Sequence, residues 1–351
     1  MRLLFLACLS PKTGNCTTAE RIRKHIESAG HICVLRDIVD FHSPADVTSL
    51  VSGEPSFEGA LAIHLYKGGR LLLGSKAPYG IIFGGTDLNQ DVKDEKKRAV
   101  MEQVLKKARF AVAFSYKMKE EAEVFWLSQS SKIYIQPQGI ETGAAPSFSW
   151  RAFLKSSGVN GTGVEDLRVF LLVCGLRRVK DPLYLVEAFS EWHAEDPSVI
   201  LIIIGPKIDP VFTGEVEVNV ERARGVYLTT ERSQEELHAA LKMCFALVNS
   251  SVSEGMSAAI LEVGLFTPGG CHAPGVPVVA RDIPGNAAII RHEDTGLLFA
   301  TPQEFVTMSK RLLEDRPLLE SIVSNGKRYV EKFHSLAEER IVYQKLVELL
   351  L

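Results

Sequence analysis

Twelve short runs rich in Val, Ile and Leu recur along the chain, with helical patterns between them. In the first half they are RLLFLACL, HICVLRD, GALAIHL, YGIIFGG, FAVAFS and KIYIQPQG; in the second, RVFLLVCG, VILIIIG, GVYLTT, CFALVNSS, VPVVAR and TGLLF. Continuous apolar runs of this length, spaced by amphipathic segments, are the pattern of parallel strands covered by helices on both faces. Six runs per half predict an α/β protein of two doubly wound domains. The length agrees, since 351 residues is about twice an ordinary domain.

Between the halves lies ETGAAPSFSWRAFLKSSGVNGTGVED, rich in Gly, Ser and Asn and without a sustained apolar period. It reads as a linker from about residue 140, with the domain boundary near residue 165. The expected domains are 1–165 and 166–334. Past Thr301 the apolar residues fall three and four apart, as in helices, and the last helix, over 335–351, is a candidate to pack back on the first domain. Doubly wound sheets bind ligands at the carboxyl ends of their strands, so two facing domains predict one cleft between them.

A net charge of −3 excludes a general nucleic-acid binder, so any phosphate site should be local. The cysteines at 8, 16, 33, 174, 244 and 271 show no CxxC spacing and read as reduced thiols. No apolar stretch approaches the ~20 residues that span a bilayer. The start, MRLLFLACLSPKTGNC, has the Arg and apolar core of a short signal peptide but lacks a small-x-small cleavage site, and is read as a first strand. The expected location is cytoplasmic, with secretion the alternative, for which the sequons at Asn15, Asn160 and Asn249 are a weak signal.

Two segments carry candidate chemistry. After FLLVCG comes LRRVKDPLYLVEAFSEW, placing Arg177 and Lys180 in a loop at a strand's carboxyl end, before a helix expected to open at Asp181-Pro182. Two cations beside free backbone amides can hold a diphosphate without a metal; the plainer alternative is a pair of solvated cations. After CFALVNSS comes SSVSEGMSAAILE, where a helix should begin near Ser257, leaving Glu254 in the loop and Glu262 further along the helix. A carboxylate at 262 can accept two hydroxyls of a ribose whose phosphate sits at the helix start. An acidic helix start favoured by the dipole is the competing explanation. Beyond Glu262, Pro268, Gly269, Gly270 and Pro274 predict that the helix ends near Phe266 and that Thr267 to Gly275 forms an exposed loop.

These segments carry a resemblance. SEGMSAAILE, with Glu254 and Glu262 separated by seven residues, resembles the E-x7-E motif of retaining glycosyltransferase family 4, among the group 1 glycosyl transferases. CGLRRVKDPLYLVEAF resembles that family's G-x-R…K segment, and VPVVARDIPGNAAIIRHEDTGLLF its P-V-V-A…G…T-G-L-L run. The three follow in family order and cover most of the second half. The resemblance implies a GT-B fold, acceptor side first and sugar-nucleotide side second. It implies that Arg177 and Lys180 neutralise a donor diphosphate, that Glu262 binds ribose, that Glu254 faces the donor sugar, and that the amides of Gly255, Met256, Ser257 and Ala258 complete the pocket. In the first half, Thr13-Gly14-Asn15 takes the place of the family's Gly-containing loop, with Gly14 and Asn15 near the substrate, and His64 resembles a sugar-contacting His. FGGTDLN departs from the family's H-G-T-D turn, because Gly84 stands where the His would be. Fourteen residues, Val263 to Val276, separate Glu262 from Pro277, more than the family's E-A-x-x-x-G-x-P-V allows.

No D-x-D triplet occurs, so the cations rather than a metal are expected to stabilise the leaving diphosphate. GRLLLGSK imitates a P-loop but reverses its last two residues, and neither a GxGxxG turn after the first strand nor a Gly-x-Ser-x-Gly elbow is present. The leading expectation is therefore a retaining, metal-independent hexosyltransferase that uses a UDP- or GDP-linked sugar and an acceptor the sequence does not name. The alternatives are a non-catalytic sugar-nucleotide-binding scaffold and a GT-B enzyme of another reaction. The sequence leaves the oligomeric state open.

Overall fold

The run VILIII, Val199 to Ile204, is buried along its whole length, as a strand must be when helices cover both faces of its sheet. Its alternate residues divide cleanly. Ile200, Ile202 and Ile204 join Val169 and Leu171 in one core layer, while Val199, Leu201 and Ile203 join Phe170 and Leu172 in the other. A strand's period of two produces this division. Each such fully buried side chain contributes about 1.5–3 kcal/mol of transfer free energy.

The computed structural model describes residues 1–10, 14–140, 147–161, 163, 166–254, 256–264 and 275–351. It holds two parallel sheets of six strands. The first is built from β1 (Arg2–Ala7), β2 (Ile32–Asp37), β3 (Gly59–Ile63), β4 (Tyr79–Ile82), β5 (Phe110–Ala113) and β6 (Ile133–Ile135), in the order β2-β1-β3-β4-β5-β6. The second comprises β7 (Arg168–Val173), β8 (Val199–Ile204), β9 (Val226–Thr229), β10 (Ala246–Asn249), β11 (Val278–Arg281) and β12 (Leu297–Phe299), in the order β12-β11-β10-β7-β8-β9. The direction of winding reverses between β1 and β3 in one sheet and between β7 and β10 in the other. Ligand crevices form at such switch points. The N-terminal apolar run is an interior strand, paired with β2 and β3 on its two sides.

The chain forms two compact units, 1–139 with 334–351, and 140–333. The second unit therefore begins at Ile140, well before the boundary expected near residue 165. Part of the supposed linker is the helix Trp150–Ser156, whose Phe153 and Leu154 enter the core of the second unit, with Trp150 stacked on Phe153 at 5.3 Å. Seven helical residues are too few to show a period against a Gly/Ser-rich background. Among the described residues no helix is long and apolar enough to cross a membrane. Burial pushes the Cys33 thiol up to about 12, in keeping with a small core residue rather than a reactive one.

The closing helix, Leu336–Glu348, starts where Ser335 accepts the amide of Glu338, and it packs on the helix Gly14–Glu27. Their shared centre is Glu339, fully buried, whose carboxylate accepts Nε of Arg21 at 2.8 Å and Nε2 of His25 at 2.9 Å. Desolvation works to raise this carboxyl. The hydrogen bonds from His25 and Arg21, the charge of Arg21 and the amide of Gly139 outweigh it and hold the group below the usual carboxylate range. Arg21 also donates to Oε1 of Gln138, and the carbonyl of Gln138 is 2.8 Å from Nδ1 of His334. Both ends of the first unit's interrupted chain are thus tied to one buried acid.

Glu339→Gln leaves Arg21 without its counter-charge and should destabilise the first unit by about 3–5 kcal/mol, read as a lower urea midpoint. Because the folded carboxyl lies below its unfolded value, this contribution is present above the unfolded value and lost as pH falls through the folded one. The wild-type midpoint should therefore fall more steeply in acid than that of Glu339→Gln.

Candidate functional site

The exits of β7 and β8 lie so close that a Cβ at Gly205 would fall on the carbonyl of Cys174. Leu176, buried, donates its amide to the carbonyl of Pro206 and fixes the path beyond β7. Arg177 then continues extended and exposed, with no side-chain partner among the described residues. Arg178–Lys180 forms one tight turn, closed by Asp181 in the left-handed region at φ 43°, a conformation Asp tolerates better than most residues. The helix expected at Asp181-Pro182 opens only at Val186, because a left-handed residue cannot continue the preceding turn into a right-handed helix.

The exit of β10 folds onto this loop. Val252 donates its amide to the carbonyl of Val179, and the Ser250 hydroxyl donates to the carbonyl of Lys180 at 3.0 Å. Two residues that are 74 positions apart then meet, with Nζ of Lys180 2.5 Å from Oε1 of Glu254. The same oxygen accepts the Ser251 hydroxyl at 2.8 Å and Nδ2 of Asn249 at 3.3 Å. Asn249 is held in turn by buried Asn286, whose amide donates to Oδ1 of Asn249 and to the carbonyl of Arg281. A Cβ at Gly285 would fall on the carbonyl of Glu254, so only glycine lets the β11 exit approach this closely. The Cys174 thiol, facing the same charges, is pushed up to about 12, chiefly by desolvation.

Glu262 lies on the helix Ala258–Gly264, which Ser257 immediately precedes. Its carboxylate is largely buried and accepts Nε2 of Gln234 at 3.0 Å on one oxygen, while the other lies 3.3 Å from Nε2 of His238. The side chain of Met256 packs on the core and Ser257 is buried. Gly255 and residues 265–274 lie outside the described residues, and with them the expected helix end and loop. Beside this site a groove of about 540 Å³ runs along β9, lined in part by Gly158, Gly205, Lys207 and Thr229.

The first unit brings Asn15 and His64 together at its own switch point. His64 follows β3 in the left-handed region, at φ 72°, and is buried. Nδ2 of Asn15 donates to its Nε2 at 3.0 Å, which leaves the ring proton on Nδ1, 3.3 Å from the Thr86 hydroxyl. Asp87 fixes the surrounding backbone by accepting the amides of Leu65, Tyr66 and Gly84. A Cβ at Gly84 would fall inside the His64 ring. The His64 ring thus fills the space that any side chain at 84 would enter first. A Cβ at Gly14 would meet no protein atom, so packing does not require glycine there. Thr13 lies outside the described residues.

Sequence reading singled out Lys180, Glu254 and Glu262 but missed Asn249, Ser251, Gln234, His238, Arg281 and Asn286, which hold them. Their one sequence signal is position, since Asn249 and Arg281 end strands at the ligand-binding edge.

Residues 160–329 match the family model described as glycosyl transferases group 1. Over 347 residues the chain is 55% identical to the glycosyltransferase 1 domain-containing protein 1 of Xenopus tropicalis, covering 99% of this chain and 97% of that one. The chain belongs to the group 1 glycosyl transferase family. Among solved structures, Anabaena HepE in complex with UDP and glucose aligns with a TM-score of 0.76 at 16% identity, covering 99% of both chains. The sucrose-phosphate synthase of Thermosynechococcus elongatus aligns at 0.72 and 16%, covering 99% of this chain and 98% of that one. Both likenesses place this family member in the GT-B fold.

Gly84→Ala must push the His64 ring aside. The expected result is a melting temperature lowered by several degrees, from roughly 1–3 kcal/mol of overpacking, and largely restored in the double variant with His64→Ala. Additive losses in the double variant would show that the two positions do not compete for space.

Proposed function

We propose that this family member transfers a hexosyl group from a nucleotide-sugar donor to an acceptor, with retention at the anomeric carbon and without a metal ion. The observation that carries the reading is the meeting of Lys180 and Glu254 at the switch point of the second sheet, with exposed Arg177 at the mouth of the same loop. In this reading the donor diphosphate is bound by Arg177 and Lys180, which stabilise the charge that develops as it leaves. Glu254, released from Lys180 by the incoming anion, turns to the donor sugar. Glu262 accepts the ribose hydroxyls, the amides of 255–258 complete the phosphate site, and the groove along β9 takes the base. In the first unit, Gly14, Asn15 and His64 contact the transferred sugar or its acceptor. Retention rests on the E-x7-E resemblance. The HepE structures hold UDP and glucose, which makes UDP-glucose the first donor to assay.

A second reading is favoured by one observation: the acids are already satisfied, Glu254 by Lys180 and Glu262 by Gln234 and His238. A binder that holds a nucleotide sugar without turning it over has no need to free them. Calorimetry with UDP and GDP, paired with a transfer and hydrolysis assay over a panel of nucleotide sugars, separates the two readings.

Nucleotide affinity is expected to weaken about tenfold to a hundredfold in Arg177→Ala and in Lys180→Met, the loss of one charge-assisted contact each being about 1.5–3 kcal/mol. Product anomers distinguished by NMR test retention. Neither transfer nor hydrolysis, together with unchanged nucleotide affinity in Arg177→Ala, would defeat the proposal.

A further inference from the structure

Arg281, the last residue of β11, has its guanidinium at the point where three strand exits converge. Nη1 is 2.9 Å from Oδ2 of Asp181, the residue next to Lys180, and 3.3 Å from the carbonyl of Ser250, whose hydroxyl donates to the carbonyl of Lys180. Its carbon lies 3.7 Å from the centre of the Tyr184 ring. Tyr184 stacks in turn on Phe299 of β12 and donates its hydroxyl to the carbonyl of Ala300. The backbone of Arg281 is engaged as well, because its carbonyl accepts Asn286, and Asn286 holds Asn249 beside Glu254. One residue therefore touches both the Lys180 loop and the Glu254 loop through its side chain, and its carbonyl reaches the second loop again by way of Asn286.

We infer that Arg281 is a positioning residue that sets the separation of the two loops and so holds Lys180 against Glu254. Arginine suits the place for a chemical reason. Its flat face lies on a ring while its edge donates in plane to Asp181 and Ser250, and an ammonium group offers no flat face. Asp181 needs this partner twice over, for its charge and for its left-handed backbone, which a hydrogen bond from a fixed cation helps to hold. A side chain that only filled space there would leave both loops free to part. For function, the inference rests on the reading of Lys180 as a cation at the donor diphosphate. Its structural content, the tie between Arg281 and Lys180, does not.

The test has two arms, both on the full chain. In the first, reductive methylation of the folded protein is followed by mass spectrometry, and labelling of Lys180 is compared with that of exposed Lys117. Arg281→Met is expected to raise the ratio on the order of tenfold, with Arg281→Lys between it and wild type. Tyr184→Leu, which keeps the charge and removes the ring, should raise it too, and serves if Arg281→Met does not fold. Wild-type labelling of Lys180 in the folded Arg281 and Tyr184 variants would overturn the inference. In the second arm, UDP and GDP affinities are measured for Arg281→Met, Lys180→Met and the double variant. If Arg281 acts through Lys180, the double variant binds no more weakly than Lys180→Met alone, whereas additive losses overturn the inference. Absence of UDP and GDP binding by the wild type would count against the donor-site reading and leave the labelling ratio to decide the role of Arg281.

Discussion

All strands of a parallel sheet run the same way, so every loop that can carry a ligand leaves from one edge. At the reversal between β7 and β10 two such loops become neighbours although the sequence keeps them far apart. The second unit depends on how these loops close on each other. They close through hydrogen bonds to main-chain carbonyls, from the Val252 amide to Val179 and the Ser250 hydroxyl to Lys180, as well as through charge, Lys180 to Glu254. The hydrogen bonds matter to the charge, because an ion pair this sheltered is stabilising only if its geometry is fixed and its remaining lone pairs are satisfied. Ser251 and Asn249 satisfy them, and Asn286 and Arg281 fix the frame from the next strand exit.

A site organised in this way is complete before a ligand arrives. Under the proposed function, an incoming diphosphate would compete with Glu254 for Lys180, whereas Arg177, exposed and without a side-chain partner among the described residues, meets no such competition. The two cations of one loop are therefore unequal. In that proposal Arg177 would draw the anion in, and Lys180 would engage it once Glu254 had another partner, such as a sugar hydroxyl. In a region of low effective dielectric, such an exchange of partners keeps each charge compensated at every stage.

Much of the fold was legible in the sequence because burial on both faces writes itself as uninterrupted apolar runs, and each predicted run coincides with a strand. The start of the second unit is not legible in the linker because the rings of Phe148, Trp150 and Phe153 pack together on a single short helix that also buries Leu154, a form with no periodic signature. Lys180 and Glu254 were visible singly through their motifs. Their partnership was not, since it is a property of strand order. Arg281 and Asn286 were less visible still. A polar residue after a strand acquires its role from the neighbours that the topology delivers, and nothing local in VARDIPGN marks the one that bridges. The crowding at Gly84 was invisible for the same reason, since it comes from the ring of His64, twenty residues earlier in the chain.

The buried Glu339 has a consequence for biosynthesis. Residues 1–139 supply six strands and the helix bearing Arg21 and His25, yet the acid that compensates them belongs to the last eighteen residues of the chain, 334–351. A ribosome must make the whole second unit before that acid emerges. Until then Arg21 and His25 lack the carboxylate they bond in the folded unit, while the residues of the second unit are contiguous in sequence. The unit whose synthesis starts first is the one whose residues are complete last.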